Sequence, residues 1–281
     1  MTTTELNNGI KIPYAGIGTF LIKPVDAENC VREALMMGYR LIDTANVYGN
    51  ERAVGRAIKA SGVNREEIFV CSKLWVTEYE NPNAVEETLE RLGLDYIDLL
   101  FLHQPAGNYM AGYKLLEKAY KEGKIKSIGI SNFEGEFIEE VLAKCEVVPQ
   151  VIQVEAHPYF IQEDLRKVTE PKNIKIMSWY PLGHNDISLL SEPVFKIIGN
   201  KYGKSSIQVI LRWHIQMEFI VIPGSKNVDH IRENFNIFDF KLSDEDMELI
   251  SQLNKQKKYY ERNSEHLAHF ARMKPNYEPA D

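Results

Sequence analysis

A chain of 281 residues, 44% hydrophobic and 26% charged, is long enough to bury a sizeable core, and its ordinary composition excludes a disordered chain. Its net charge of −7, with no basic stripe, argues against a nucleic-acid partner. No apolar run approaches the roughly 18 residues of a membrane-spanning helix. The opening MTTTELNNG has neither the basic nor the apolar region of a secretory signal, and Cys30, Cys71 and Cys145 form no CxxC pair. Reduced thiols in a cytoplasmic protein are the simplest reading.

In chain order, Thr4–Leu6 and Ile10–Ile12 flank Asn7-Asn8-Gly9, a hairpin signal placed as a lid at one end of the domain. Tyr14–Thr19 is a small-residue strand. It is not a dinucleotide fingerprint, because Leu21 stands where the third glycine belongs. Then helices and strands alternate. Helix 26–37, with Asp26 as N-cap, leads to strand 41–43; helix 51–60 leads to strand 68–72, and helix 83–92 to strand 96–102. Helix 113–121 leads to strand 125–130, helix 137–144 to strand 151–154, and helix 164–169 to strand 174–179. Helices 194–201 and 206–216 lead to strand 219–222, and helices 228–234 and 244–253 close the pattern.

From Tyr14 that makes eight strands. Their runs are apolar rather than alternating, as in strands buried on both faces. An α/β chain of this pattern is expected to be a closed (β/α)8 TIM barrel, with an open doubly wound sheet as the alternative. No linker divides the sequence, so one domain over 1–281 is expected. The tail after Leu253 is polar and aromatic without periodicity, either capping the barrel mouth or partly loose.

In such a barrel the chemistry sits where strands hand over to the following loops. The residues there are Phe20, Asp43, Lys73, His103, Ser131 with Asn132, Gln153, Trp179 and Ser225. Tyr48 follows Asp43 in GYRLIDTANVYGNERAVG, and Asp43, Lys73 and His103 are spaced by thirty residues, about one strand–helix–strand unit. Singly, each has a plain structural reading: a solvated lysine, a hydrogen-bonded histidine beside a proline. Gln153 alone would be an expensive buried amide unless it binds something. Together they suit one chemistry. A phenol titrates near 10 and is a weak acid at neutral pH, but a neighbouring ammonium favours its phenolate. A carboxylate keeps that ammonium charged, and a histidine donates to an oxygen that gains charge. The set suits protonating a carbonyl oxygen while hydride reaches the carbon. Trp179 would stack on a flat nicotinamide whose amide is held by Ser131, Asn132 and Gln153. There is no GxSxG serine motif, and no metal site is expected, since His266 and His269 stand together only in the tail.

These residues resemble the aldo-keto reductase family over essentially the whole chain. GYRLIDTANVYGNERAVG is similar to its first signature, and SKLW, LHQP, GKIKSIGISNF, QVEAHPY, WYPLG, RWH and IPGSKNVDHIREN match later segments in order. The short stretch HQPAGNYMAGY resembles compact bacterial members related to 2,5-diketo-gluconate reductases. The resemblance implies a tetrad of Asp43, Tyr48, Lys73 and His103, with Tyr48 the acid in reduction. It implies Leu182 along the pyrophosphate, and Ser225, Glu233 and Asn234 at the adenosine end. Phe20, Trp75 and His103 would wall the substrate, with Phe20 where many relatives carry Trp. The usual IPKS becomes IPGS here. Gly224 and His230 replace the two cations that hold the NADP 2′-phosphate, leaving Lys226 to reach it. The implied enzyme is an NAD(P)H-dependent reductase of small carbonyl compounds, monomeric, preferring NADPH weakly with NADH also possible. A related regulatory subunit that binds without turnover is the competing class, and a metal-dependent barrel hydrolase is a third. The intact tetrad favours the enzyme.

Overall fold

The computed structural model describes residues 2–279; Met1, Ala280 and Asp281 lie outside the described residues. The strands are β1 (Thr3–Glu5), β2 (Lys11–Pro13), β3 (Ile17–Gly18), β4 (Leu41–Asp43), β5 (Phe69–Leu74), β6 (Leu99–Leu102), β7 (Ile128–Ser131), β8 (Val151–Glu155), β9 (Lys175–Trp179) and β10 (Ile220–Val221). The helices are α1 (Pro24–Met36), α2 (Glu51–Ser61), α3 (Ala84–Leu92), α4 (Tyr109–Lys121), α5 (Glu136–Lys144), α6 (Glu163–Thr169), α7 (Ile187–Leu190), α8 (Pro193–Tyr202), α9 (Ser206–Gln216), α10 (Val228–Phe235), α11 (Asp244–Ser251) and α12 (Ser264–Phe270). Strands β3 to β10 pair in parallel in chain order. A parallel bridge between Ala15 and Val221 joins the first strand back to the last, so the sheet closes into the expected (β/α)8 barrel.

Alternate side chains on each strand face opposite ways. Leu41, Phe69, Cys71, Leu99, Phe101, Val151, Met177 and Ile220 fill the barrel interior. Their neighbours Ile42, Val70, Leu100, Ile152 and Ile176 pack outward under the helices. The interior is tight: a Cβ on Gly129 would stand 2.2 Å from the Phe101 ring, so glycine makes the space that Phe101 fills. The β1–β2 hairpin adds Leu6 and Ile12 to the same cluster, a gain of about 1.5–3 kcal/mol for each side chain fully buried. Asn7 donates to Pro149 O at 3.0 Å and Asn8 to Lys126 O at 3.0 Å, both just before strands begin. The hairpin therefore plugs the bottom of the barrel and leaves the top for the site.

Several boundaries differ from the sequence reading, each for a local reason. Helix α1 starts at Pro24, whose fixed φ suits the first helical position. Lys23 is the N-cap, and Asp26 stands in the first turn rather than at the cap. Helix α4 starts four residues earlier than its hydrophobic pattern suggests, because Asn108 caps it by accepting from Ala111 N. The tail holds a seven-residue helix, α12, capped by Asn263 and too short to show a period. That tail lies across the barrel mouth. Tyr259 N and Tyr260 N donate to the Glu155 carboxylate at 2.6 and 3.0 Å, and Trp75 Nε1 donates to Met273 O at 2.8 Å.

Candidate active site

The inward alternation that packs the barrel also builds its top layer. Two residues beyond interior Leu41 comes Asp43; beyond Cys71, Lys73; beyond Phe101, His103; beyond Gly129, Ser131; beyond Val151, Gln153; and beyond Met177, Trp179. Lys73 and Ser131 lie within their strands, not after them as the sequence suggested, whereas Gln153 and Trp179 stand within β8 and β9 as expected. Parallel ladders continue one residue past the last apolar side chain, because backbone pairing ignores side-chain polarity. Tyr48 arrives from the β4–α2 loop, at the end of a 3₁₀ turn (Asn46–Tyr48) that Gly49 closes in the left-handed region. A Cβ on Gly49 would stand 2.7 Å from Asn276 O, so this turn also fits beneath the tail.

Lys73 Nζ lies 2.6 Å from Asp43 Oδ2 and donates to Thr44 O at 2.8 Å. It stands 5.0 Å from the centroid of the Tyr48 ring. His103 meets that ring edge-on at 5.6 Å and the Trp75 ring at 5.1 Å. Lys73 is fully buried, and burial pulls its pKa down. The charge and hydrogen bond of Asp43, together with Tyr48 and Cys71, more than offset that, and the pKa rises, so the ammonium persists. For Tyr48 the sequence expectation of a lowered phenol is corrected. Burial pushes its pKa up to about 12 against the downward pull of Lys73, so the phenol holds its proton at neutral pH. Burial, helped by Lys73, drives His103 well below the ordinary imidazole value, so the ring is neutral. Its Nδ1 is buried with no partner among the described residues.

A second layer of bonds fixes these groups. Gln153 Nε2 donates to Asp43 Oδ1 at 2.8 Å and contacts Met177 Sδ at 3.0 Å, so this buried amide is already half satisfied by the protein. Asn132, at φ +67°, donates to His103 O and Ser131 Oγ, both at 3.2 Å. Its oxygen accepts from Trp179 Nε1 at 3.0 Å, which pins the indole. Arg262 of the tail donates to Asn132 O.

One cavity of about 770 Å³ unites most of the sequence-derived set. Phe20, Asp43, Tyr48, Trp75, His103, Ser131, Asn132, Gln153, Trp179, Leu182, Ser225 and Lys226 all line it. Lys73, fully buried behind Asp43, does not, and neither do His230, Glu233 and Asn234. His230 is exposed on α10, and Glu233 accepts from Ser205 Oγ at 2.5 Å. Lys226 is mostly exposed, 3.8 Å from Asp26. The N-terminus of α10 is capped by its own Asn227, which accepts from Asp229 N at 2.8 Å. Gly224 faces Gly18, and a Cβ there would stand 2.8 Å from Gly18 O. The sequence reading missed Gln104, Tyr180, Tyr260, Phe270 and Met273, which also line the cavity. Gln104 was marked by its place directly after His103; the tail residues carried no signal. Among the described residues, no group of three or more His, Cys, Asp or Glu converges as a metal would need, and no helix is long and apolar enough to cross a membrane.

Comparison with known proteins agrees with this geometry. The sequence pattern of the Aldo/keto reductase family matches residues 16–255. The glyoxal reductase of Bacillus subtilis is 45% identical over 258 residues, 90% of this chain and 93% of that protein. The 9,11-endoperoxide prostaglandin H2 reductase of Trypanosoma cruzi is 42% identical over 259 residues, 90% of this chain and 92% of that protein. The crystal structure of an aldo-keto reductase from a Medee basin deep-sea metagenome library superposes with a TM-score of 0.89 at 41% identity, covering 92% of this chain and 97% of that one. The chain belongs to the aldo/keto reductase family and is an NAD(P)H-dependent oxidoreductase acting on small-molecule carbonyl compounds.

Proposed function

We propose that this chain, a single-domain monomer of the cytoplasm with no nucleic-acid partner, reduces short aldehydes and ketones with Tyr48 as the acid and with NADPH preferred over NADH. The observation that carries the reading is the buried Asp43–Lys73 pair beside Tyr48, at the end of the cavity that His103 also lines. The residues fit a nicotinamide dinucleotide. His103 and Lys226 line the same cavity, of about 770 Å³. Trp179 offers a flat, fixed face, Ser131 a hydroxyl, and Gln153 an amide oxygen that accepts nothing from the protein. In this reading Leu182 would hold the pyrophosphate and Ser225 the adenosine end, with His230, Glu233 and Asn234 of α10, outside the cavity, serving only a part of the adenosine that extends beyond it. When bound, the reduced nicotinamide supplies the hydride.

The chain's own residues handle the oxygen. Neutral His103 donates its ring N–H to the carbonyl oxygen and polarises it. Tyr48 gives that oxygen its phenol proton, and the phenolate left behind faces the Lys73 ammonium, which stabilises it. Asp43 keeps Lys73 charged and placed, and Gln153 fixes Asp43. Phe20 and Trp75 keep water from the reacting carbon. At the far end Lys226 would hold the 2′-phosphate as a point charge, which supports a weaker preference than a pair of cations with an arginine fork.

The test is loss of reduced-nicotinamide absorbance with a panel holding glyoxal, sugars, a keto sugar acid and keto acids. The glyoxal reductase of Bacillus subtilis favours a short aldehyde; the likeness to 2,5-diketo-gluconate reductases favours the sugar acid. Turnover of at least one, faster with NADPH, is expected. Tight cofactor binding with no turnover of any would replace the reading by a binding subunit.

A further inference from the structure

We propose that Tyr277 and Glu278 latch the tail shut over the cavity, with Glu278 a positioning residue that caps α2 from outside and so holds Phe270 and Met273 in the cavity wall. The latch stands on geometry alone; its effect on substrate rests on the reductase reading above.

Helix α2 lacks a cap of its own. Its N-cap residue, Asn50, makes no side-chain capping bond. That amide is occupied elsewhere: it donates to Thr19 O at 3.0 Å and Ile22 O at 2.9 Å, and its oxygen accepts from Thr44 Oγ1 at 2.7 Å. Glu51, in the first turn, faces inward to Ser72 and Arg91. The orphan donor Ala53 N is met instead by the tail, donating to Glu278 Oε2 at 3.0 Å across 225 residues of sequence. This is the bond an N-cap side chain ordinarily makes to the third helical residue, and a negative charge suits that end of a helix. The other oxygen, Oε1, accepts from Arg56 Nη2 at 2.6 Å, and Arg56 is braced by Glu28 of α1 at 2.8 Å. The Glu278 side chain is only 13% exposed. A carboxylate that far out of water would be costly to leave unpaired. Beside it, the Tyr277 ring lies 4.2 Å from the Arg91 guanidinium, which is itself fixed to Glu51 at 2.6 Å. Two neighbouring tail residues thus grip two helices, α2 and α3.

The segment between the anchors is lightly held. At its near end Tyr259 N and Tyr260 N are bound to Glu155. Between Asn263 and Asn276, among the described residues, the hydrogen bond that ties the segment to the barrel runs from Trp75 Nε1 to Met273 O. No residue of α12 is buried. Yet Phe270 and Met273 line the cavity, and Phe270 meets the Trp75 ring edge-on at 5.2 Å. A segment with few buried contacts and few bonds opens at low cost. Fixed at 259–260 and gripped at 277–278, it acts as a cover, and the latch sets how often that cover is open.

The test measures amide hydrogen exchange over residues 263–276, and steady-state kinetics with NADPH and a short aldehyde, in the wild type, Glu278→Ala, Glu278→Gln and Tyr277→Ala. Loss of a charge-assisted bond should speed exchange of that segment by about tenfold in Glu278→Ala. Tyr277→Ala, which leaves the α2 cap in place, should speed the same segment. Glu278→Gln keeps an acceptor for Ala53 N without the charge and should fall between wild type and alanine. Once unlatched, the closed wall is only partly populated, so KM for the aldehyde should rise by about threefold or more in Glu278→Ala. Turnover at saturation and NADPH affinity should barely change. Unchanged exchange over 263–276 in either alanine variant overturns the latch. Faster exchange confined to α2 reduces Glu278 to a helix cap and overturns it as well. Faster exchange of the segment with KM unmoved overturns the positioning role. Wild type that binds NADPH but reduces no aldehyde removes the positioning role together with the reductase reading, while the exchange result still decides the latch.

Discussion

At one end of the cavity an ammonium and a carboxylate are sealed 2.6 Å apart inside the barrel. At the other, Lys226 hangs in solvent, 3.8 Å from a half-buried Asp26. Both are Lys–Asp pairs lining or edging one cleft, yet they do different work. The sealed pair has no water to screen it and is fixed by Thr44 O and Gln153 as well as by its partner. The open pair is screened, and its geometry is worth little. In the proposed reading the difference separates what the site would hold rigidly, a proton and its path, from what it could adjust, the far end of a flexible cofactor.

The largest effect expected from breaking this contrast lies at the sealed end. Lys73→Met should lower kcat for carbonyl reduction by about 10³-fold or more, the scale of general acid–base catalysis. Asp43→Asn should hurt less, because the ammonium remains, though less well placed. The double variant should lose far less than the product of the two, since both act through Tyr48. Independent, multiplicative losses in steady-state kinetics would separate the pair.

Burial should also show in the pH dependence of stability, at a histidine away from the cavity. His214 of α9 is buried against Ala156 O, which follows β8, at 3.0 Å, and burial lowers its pKa to about 4. The unfolded chain takes up that proton below about 6.5, and the folded chain refuses it until about 4. Stability is therefore complete above the unfolded value and falls as pH drops through this window. The loss is about 3 kcal/mol from this group at most. Denaturant midpoints measured from pH 7 to 4 should fall steeply in the wild type and less steeply in His214→Leu; equal slopes would remove His214 from the account.

The smallest effect belongs to the open end. Lys226→Ala should reduce the kcat/KM ratio of NADPH over NADH by a few-fold, with turnover at saturating cofactor unchanged, as for removal of an exposed point charge. A ratio that does not fall excludes Lys226 as the phosphate ligand, and a wild-type ratio below one reverses the cofactor preference.

The two ends were also unequally legible in the sequence. Asp43, Lys73, His103, Gln153 and Trp179 could be read because apolar strands make a polar residue at the next inward position conspicuous. The alternation then places it without knowledge of any contact. What the alternation does not encode is direction of influence: the phenol of Tyr48 rises to about 12 because burial outweighs Lys73, a balance only coordinates reveal. The bond from Gln153 to Asp43 crosses 110 residues of sequence and left no mark. At the open end, His230, Glu233 and Asn234 lie on α10 outside the cavity. A helix surface offers no alternation that says which residues face a cofactor lying beyond it. The tail was least legible. Its bonds to Glu155, Asn132 and Trp75 use mainly backbone groups on one side or the other, which every sequence possesses.

The central claim, that a buried and protonated phenol serves as the acid, is tested most directly by Tyr48→Phe. The substitution keeps the ring and its packing and removes only the transferable proton. Single-turnover reduction of a short aldehyde with bound NADPH should slow by about 10²–10⁴-fold, with NADPH affinity barely changed. A variant that transfers hydride at the wild-type rate, with the chemical step limiting, would show that Tyr48 is not the acid.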